Sequence, residues 1–408
     1  MICGGTSVKI PEYLDRDNYL QNPIMRRFLK DRDLEFVENR ADYINALEAY
    51  SNVNPEQENE LKEWLLKVVK EGSKEFCYRK IFGFNEKHRD PELVEETIRS
   101  KYPNCPMQNV LEYRNTKDRT LTEYKIFINY DGELVKIDFT FSKLMLYGDV
   151  GKLGDVTVFP IFIEVYLNEG MIVSRAKAKS TIYHYDENNR MLFQDYRVLT
   201  MDYAVSAIDE IISIFGFETE KNKKIVKKKN SEMLYRLYQE YSFTPKDVDE
   251  KVEQMTGINR SYVDKIFEDL SLDPRNKERA LLDMRIFIEK YISINGNNEE
   301  LFKKDRDAYL IKVSADDEIE LTKIDTTSDK TVPLQCTEAF FDSKKSVVKS
   351  KKCNKLNLIL KRDNDMYLKS NPLVVQFGTN KDYGYFKTIQ YAEEADIQHV
   401  LQAIFKHY

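Results

Sequence analysis

The chain has 408 residues, of which 42% are hydrophobic and 32% are charged, and its formal net charge at pH 7 is −6. This balance excludes an intrinsically disordered chain and a surface that is basic throughout, so any nucleic-acid binding must come from a local patch. The length exceeds what one hydrophobic core usually organises, so the sequence predicts several domains.

Composition also bears on compartment and origin. No apolar run approaches the roughly 20 residues of a membrane span, and the first residues do not resemble a secretory signal. Five scattered cysteines favour reduced thiols, so we expect a cytoplasmic protein without a membrane partner. Abundant Lys, Asn, Tyr and Ile indicate an AT-rich coding sequence, as in a low-GC bacterium or its phage.

Residues 1–115 are predicted to form a helical N-terminal region. Asn54-Pro55 can cap and open a helix, an apolar stripe follows at helical spacing, and Gly72 ends it. Asp90-Pro91 opens another helix in the same way.

Residues 116–200 are predicted to form an antiparallel β-meander, because short turns such as Asn168-Glu169-Gly170 separate the apolar or alternating stretches. The predicted strands are Tyr124–Asn129, Leu134–Phe141, Val156–Leu167, Met171–Tyr185 and Met191–Leu199.

The strand Met171–Tyr185 places Arg175, Lys177, Lys179 and Tyr183 on one face. We predict that this face is open and binds nucleic acid. Alternate strand residues are about 7 Å apart, close to the phosphate spacing of a strand, and the tyrosine can stack on a base. The alternative is a solvated face whose cations only discourage edge-to-edge aggregation.

Residues 201–298 are predicted to be helical again, with a lysine-rich run at 221–229 that favours either a solvated surface or phosphate contact. Within this region, Thr244-Pro245 can cap one helix, Thr256-Gly257 can break it, and Asn259 can cap a second. Residues 243–270 therefore resemble a helix-turn-helix pair in general form.

In a DNA-binding pair of this kind, the exposed start of the second helix faces the major groove. Here that start carries Arg260, Ser261, Tyr262 and Lys265. Glu253 at the expected crossing, together with acidic residues along the second helix, favours the alternative of a purely structural helix pair.

Residues 299–408 are predicted to form a small C-terminal α+β domain, beginning after a polar break at 295–298. Five short strand patterns are followed by a helix from Glu393. The long connection between two of these strands carries a second basic cluster, from Lys344 to Lys355, which we expect to be mobile.

The sequence contains no complete catalytic signature, and no Cys or His pair has zinc-ligand spacing, so we predict no metal site and no cofactor. Glu164 is unusual because a carboxylate in an apolar strand is costly unless it is paired. It can pair with Arg175 or Lys177 across the hairpin. Alternatively, Asp155, Glu164 and Lys177 form the two acids and lysine of a metal-dependent nuclease.

These observations predict a multidomain α+β protein that binds nucleic acid without acting as an enzyme. A second hypothesis is an interaction or scaffold subunit beside a partner protein that supplies catalysis, which would suit a bacterium–phage conflict system. The third is a divergent metal-dependent nuclease around Asp155, Glu164 and Lys177.

Overall fold

The structure is a computed structural model that describes residues 9–16, 18–34, 39–113, 116–179, 181–295, 299–304, 306–317, 322–362 and 372–408. It is a mixed helix and strand structure, so the predicted multidomain α+β class is confirmed. The chain divides into two compact units: the described residues up to 223, with 382–401, form the first, and the described residues from 224 to 362, with 372–381 and 402–408, form the second. None of the helices within the described ranges is long and apolar enough to cross a membrane.

The helices and strands are numbered in chain order. The helices are α1 Glu12–Arg16, α2 Asn22–Lys30, α3 Arg40–Ser51, α4 Pro55–Lys70, α5 Pro91–Lys101, α6 Thr200–Phe215, α7 Lys223–Tyr241, α8 Lys246–Gln254, α9 Thr256–Asp269, α10 Lys277–Ile294, α11 Glu299–Lys303, α12 Glu338–Ser350 and α13 Glu394–His407. The strands are β1 Lys74–Lys80, β2 Thr120–Ile128, β3 Leu134–Tyr147, β4 Asp155–Tyr166, β5 Met171–Lys177, β6 Ile182–His184, β7 Arg197–Val198, β8 Ala308–Asp317, β9 Thr322–Thr327, β10 Lys355–Leu360, β11 Leu373–Thr379 and β12 Gly384–Thr388.

The first unit contains an antiparallel sheet in the order β7-β6-β3-β4-β5-β1-β12, and β2 also pairs with β3. The tight hairpin between β4 and β5 has Gly170 at φ +58°, a conformation that favours glycine. A β-carbon at this position would lie 2.8 Å from the carbonyl oxygen of Ile81, so the turn also needs the missing side chain. This hairpin places β5 in the middle of the sheet.

Helices cover both faces of this sheet. One face packs its apolar side chains, among them Ile163 and Ala176, against α5 and α6. On the other face Phe162 packs with side chains of α2, α3 and α4. Because helices cover both faces of the sheet, β4 is almost continuously buried, as its apolar sequence predicts. This coverage also means that charged residues of β4 and β5 lie inside the protein.

Three predicted elements of the first unit are wrong in detail. The strand expected over Met171–Tyr185 ends at Lys177, and β6 continues as a separate strand that pairs with β3. The stretch Met191–Leu199 forms only the two-residue strand β7. The region predicted as helical up to residue 115 also contributes β1 to the sheet, between β5 and β12.

The second unit has its own antiparallel strands in the order β11-β10-β8-β9, together with the helices α7 to α12. Part of the second basic cluster is helical, because Lys344, Lys345 and Lys349 lie on the helix α12. Thr337 caps this helix by accepting a hydrogen bond from the backbone N–H of Phe340. Its lysines are therefore held in fixed positions along a helix.

Candidate functional sites

Arg175, the centre of the predicted basic stripe, lies in the interior of the first unit with 1% of its surface exposed. Its guanidinium donates a 2.8 Å hydrogen bond to Glu164 of β4 and a 2.5 Å hydrogen bond to Glu394 at the start of α13. The predicted pairing of Glu164 with Arg175 is therefore confirmed. A guanidinium suits this position because its planar donors can serve two carboxylates at once.

The carboxylates around Arg175 have further partners. The Tyr166 hydroxyl donates to Glu164 over 2.7 Å, and the Gln398 amide donates to Glu394 over 2.7 Å. Burial alone would raise the pKa of the Glu394 carboxyl, but the charge of Arg175 outweighs it and lowers the pKa to about 2. The fold thus stabilises the charged form of Glu394.

A second part of the same network lies across the β3–β4 pair, where Asp138 stands opposite Glu164. The ammonium of Lys136 lies 2.9 Å from a carboxylate oxygen of Asp138 and 4.0 Å from one of Glu164. The ammonium of Lys70 of α4 lies 3.6 Å from a carboxylate oxygen of Asp138. Burial, followed by the negative charge of Glu164, raises the pKa of Asp138. Two lysines therefore offset the cost of placing two carboxylates side by side in the interior.

Lys177 is also buried, and its ammonium donates to the carbonyl of Asn18 over 2.8 Å. Lys74 of β1 donates to the carbonyl of Val69 over 2.6 Å, and both ammonium groups lie 4.6 Å from the ring centroid of Tyr19. Burial lowers the pKa of Lys74 well below its ordinary value, and the charge of Lys177 acts in the same direction. Carbonyl oxygens and an aromatic face here replace water as the partners of two cations.

The prediction of an open basic face is therefore wrong for β5 and β6. Arg175 and Lys177 are buried, Tyr183 is 2% exposed beside Leu146, and Lys179 is half-buried with its ammonium 3.8 Å from the ring centroid of Tyr147. Helices cover Arg175 and Lys177 on this face, whereas Tyr183 is buried against Leu146 and Leu192. Contact of this stripe with nucleic acid would require these buried side chains to become exposed.

The nuclease grouping of Asp155, Glu164 and Lys177 does not come together. Asp155 is exposed at the start of β4, and Glu164 is nine residues further along the same strand, a separation of roughly 30 Å at about 3.3 Å per residue. Lys177 bonds to a backbone carbonyl instead of approaching Glu164. Within the described ranges, no three His, Cys, Asp or Glu side chains are grouped so that they could hold a metal ion.

The helix pair α8–α9 in the second unit differs from the predicted helix-turn-helix. Only Met255 separates the two helices, and its φ of −87° and ψ of −6° remain helical. Gly257 and Asn259, expected in the turn and at the cap, lie inside α9. Thr244 does not cap α8, because its hydroxyl donates to Glu289 over 2.5 Å. The open turn of a helix-turn-helix is therefore absent from this junction.

The four predicted binding residues of α9, namely Arg260, Ser261, Tyr262 and Lys265, are all exposed. Buried positions on the opposite side of α9, such as Val263, hold the helix in the unit. Arg260 and Lys265 make no hydrogen bond or ion pair with any residue that the structure describes. Both cations are consequently available to a ligand.

Basic residues partly neutralise the acidic residues in and near α9, which favoured a purely structural helix pair. Glu253 pairs with Arg285 of α10 and accepts a hydrogen bond from the Thr256 hydroxyl, and Asp264 pairs with Lys277 over 2.8 Å. Glu268 and Asp269 keep the C-terminal end of α9 acidic. The start of α9 is therefore its most suitable part for contact with an anion.

A cavity of about 750 Å³ in the second unit was not anticipated from the sequence. Among its lining residues, Glu289 of α10 is 7% exposed, and its carboxylate lies 2.7 Å from the ammonium of Lys344 of α12. The cationic residues that line the cavity are Arg279, Arg285, Lys344, Lys345 and Lys349. The lysine cluster from 344 was visible in the sequence, but nothing local placed it opposite the arginines of α10.

A separate aromatic patch lies further along α10. Phe287 and Tyr291 are 54% and 47% exposed, and their ring centroids are 4.8 Å apart. Together with Ile288 and Ile292 they border an open depression of about 570 Å³. Exposed aromatic groups of this kind are typical of protein-binding surfaces.

Neither a scan against protein-family models nor searches of curated proteins and of solved structures find a match to this chain. The function must therefore be argued from these sites alone.

Proposed function

We propose that the protein binds nucleic acid through the exposed start of α9, and that it does so without acting as an enzyme. The observation that carries the proposal is the exposure of Arg260, Ser261, Tyr262 and Lys265 on one helix, with both cations lacking a partner among the described residues. Cations supply the phosphate contacts, and hydroxyl groups can add hydrogen bonds to the backbone or bases.

The charge distribution of α9 gives the contact a direction. Arg260 and Lys265 make this part of α9 favourable for a phosphate, whereas Glu268 and Asp269 at the C-terminal end repel one. We therefore expect the part of α9 from Arg260 to Lys265 to approach the nucleic acid and the last turn to point away from it. Because the α8–α9 junction has no open turn, this contact would differ from helix-turn-helix docking.

The test is fluorescence anisotropy of labelled duplex and single-stranded DNA and RNA at several salt concentrations. The double variant Arg260→Glu/Lys265→Glu should weaken binding, and it should reduce the slope of log K against log salt by about 2 for a duplex, since each lost phosphate contact removes about 0.9. The control Arg99→Glu/Lys152→Glu makes the same charge change at two exposed positions of the first unit. Equal losses in both variants, or no binding at low salt, would overturn the proposal.

A second candidate function, an interaction subunit, is supported by the aromatic patch of α10. Its partner would be a protein whose apolar surface covers Phe287 and Tyr291, and binding would depend little on salt. Phe287→Ser/Tyr291→Ser should abolish salt-resistant co-purification of such a partner. If the same protein is still retained by this variant, the patch is not its binding surface.

A further inference from the structure

We propose that the cavity between α10 and α12 binds a nucleotide, with its phosphates on the cationic side and its base against the apolar side. Its volume of about 750 Å³ lies within the roughly 300–1,000 Å³ of typical small-ligand pockets. None of the predicted binding residues of α9 lines the cavity, so the inference does not depend on nucleic-acid binding by that helix.

The charge of the lining favours an anion. Five cations face one carboxylate, Glu289, which Lys344 and Thr244 already satisfy. Arg285 pairs with Asp249 over 2.6 Å and also with Glu253, and Lys345 pairs with Asp283 over 2.7 Å, so carboxylates outside the lining offset part of its positive charge. These ion pairs fix the cations before a ligand arrives, which lowers the entropy cost of binding.

Arg279 is the cation most available to a phosphate. It is exposed, it lies in the first turn of α10, and it makes no hydrogen bond or ion pair within the described ranges. A guanidinium can bind two phosphate oxygens at once. A phosphate at this place would also lie near the positive end of the α10 dipole.

The apolar part of the lining distinguishes a nucleotide from a simple anion. Leu282 and Ile286 are one turn apart on α10, and Val348 of α12 also lines the cavity. Leu282 is 51% exposed and Val348 is 45% exposed, so a base lying against them would remove apolar surface from water. A bare phosphate would leave that surface uncovered, whereas a nucleotide uses both parts of the cavity.

Two sources can supply this chemistry: a free nucleotide, or the terminal nucleotide of a single strand. Calorimetric titration with ATP, with a 5′-phosphorylated single-stranded oligonucleotide and with inorganic triphosphate separates them. We expect Arg279→Ala and Leu282→Ser each to weaken nucleotide binding by at least about tenfold. The matched controls are Arg275→Ala and Leu270→Ser, exposed residues that do not line the cavity, and they should leave binding unchanged.

Each result has a definite meaning. ATP binding that responds to both cavity variants supports a free nucleotide, and the same response with the oligonucleotide alone supports a strand end. The proposal is overturned if neither probe binds, if inorganic triphosphate binds as tightly as ATP, or if the controls lose as much affinity as the cavity variants. The α9 variant Arg260→Glu/Lys265→Glu should keep ATP binding, so failure of one proposal is distinguishable from failure of the other.

Discussion

Replacing Arg175 with Met tests the interpretation that the buried cations of the first unit serve the fold. The substitution keeps an unbranched side chain in the sheet but removes the guanidinium that holds Glu164 and Glu394. Because Glu164 is only 3% exposed, it would remain as a buried carboxylate without its main counter-charge. Breaking a buried pair in this way costs about 3–5 kcal/mol.

The assay is urea unfolding at pH 7, followed by the fluorescence of Trp64, the single tryptophan, which lies in α4 of the same unit. As a control, Arg99→Met breaks an ion pair on α5 whose arginine side chain is 71% exposed, so it should lower the free energy of unfolding far less than Arg175→Met does. Glu164→Gln should recover part of the loss in the Arg175→Met background, because it removes the uncompensated charge. A cost for Arg175→Met no greater than that for Arg99→Met would refute the reasoning.

The same network predicts a pH dependence. The pKa of Glu394 falls from its usual 4.5 to about 2, so its contribution is present above pH 4.5 and is lost as the pH falls through 2. At about 1.36 kcal/mol per pH unit this corresponds to about 3 kcal/mol. Solvent screening reduces the value to about 2 kcal/mol, because 39% of the side chain is exposed. Glu394→Gln should flatten the fall in stability between pH 5 and 2 by this amount, and an unchanged pH profile would contradict the assignment.

Two further predictions concern the sheet of the first unit. Gly170→Ala should lower the free energy of unfolding by about 1–2 kcal/mol or more, because φ is +58° and the new β-carbon would meet the Ile81 carbonyl. Gly132→Ala, at φ +80° in open space, should cost less in the same urea assay, and equal costs would show that the close approach does not matter. Burial raises the pKa of the Cys77 thiol to about 12, so iodoacetamide at pH 8 should leave it unmodified in the native protein, as measured by peptide mass spectrometry. Modification of Cys77 as fast as that of half-buried Cys105 would show that this region opens readily.

Local signals predicted much of the fold. The cap at Asn54 accepts a hydrogen bond from the backbone N–H of Gln57, and α4 runs from Pro55 to Lys70 as the apolar stripe requires. The continuous apolar run of β4 and the glycine of the following hairpin also appear as predicted. Each of these features depends on residues close together in the chain, and that is why sequence patterns can identify them.

The errors arise where distant residues decide the outcome. A period of two shows which side chains of β5 share a face, but it does not show that helices cover that face. The carboxylate of Glu394, which completes the partners of Arg175, is 219 residues away in the chain. At the α8–α9 junction, the predicted break at Gly257 is wrong, because Gly257 lies in the first turn of α9. Residues of both α10 and α12 line the cavity, so the basic cluster from Lys344 to Lys355 could not indicate it alone.

The two environments of the cations determine which variants can inform on function. In the first unit, Arg175, Lys74 and Lys177 are occupied by carboxylates, carbonyl oxygens and an aromatic ring, so reversing their charge would disturb the fold and weaken any activity indirectly. In the second unit, Arg260 and Arg279 are exposed and have no partner among the described residues, so their replacement costs little stability. Loss of binding in a variant of Arg260 or Arg279 that unfolds like the wild type therefore identifies a ligand contact, whereas the same loss at Arg175 would not.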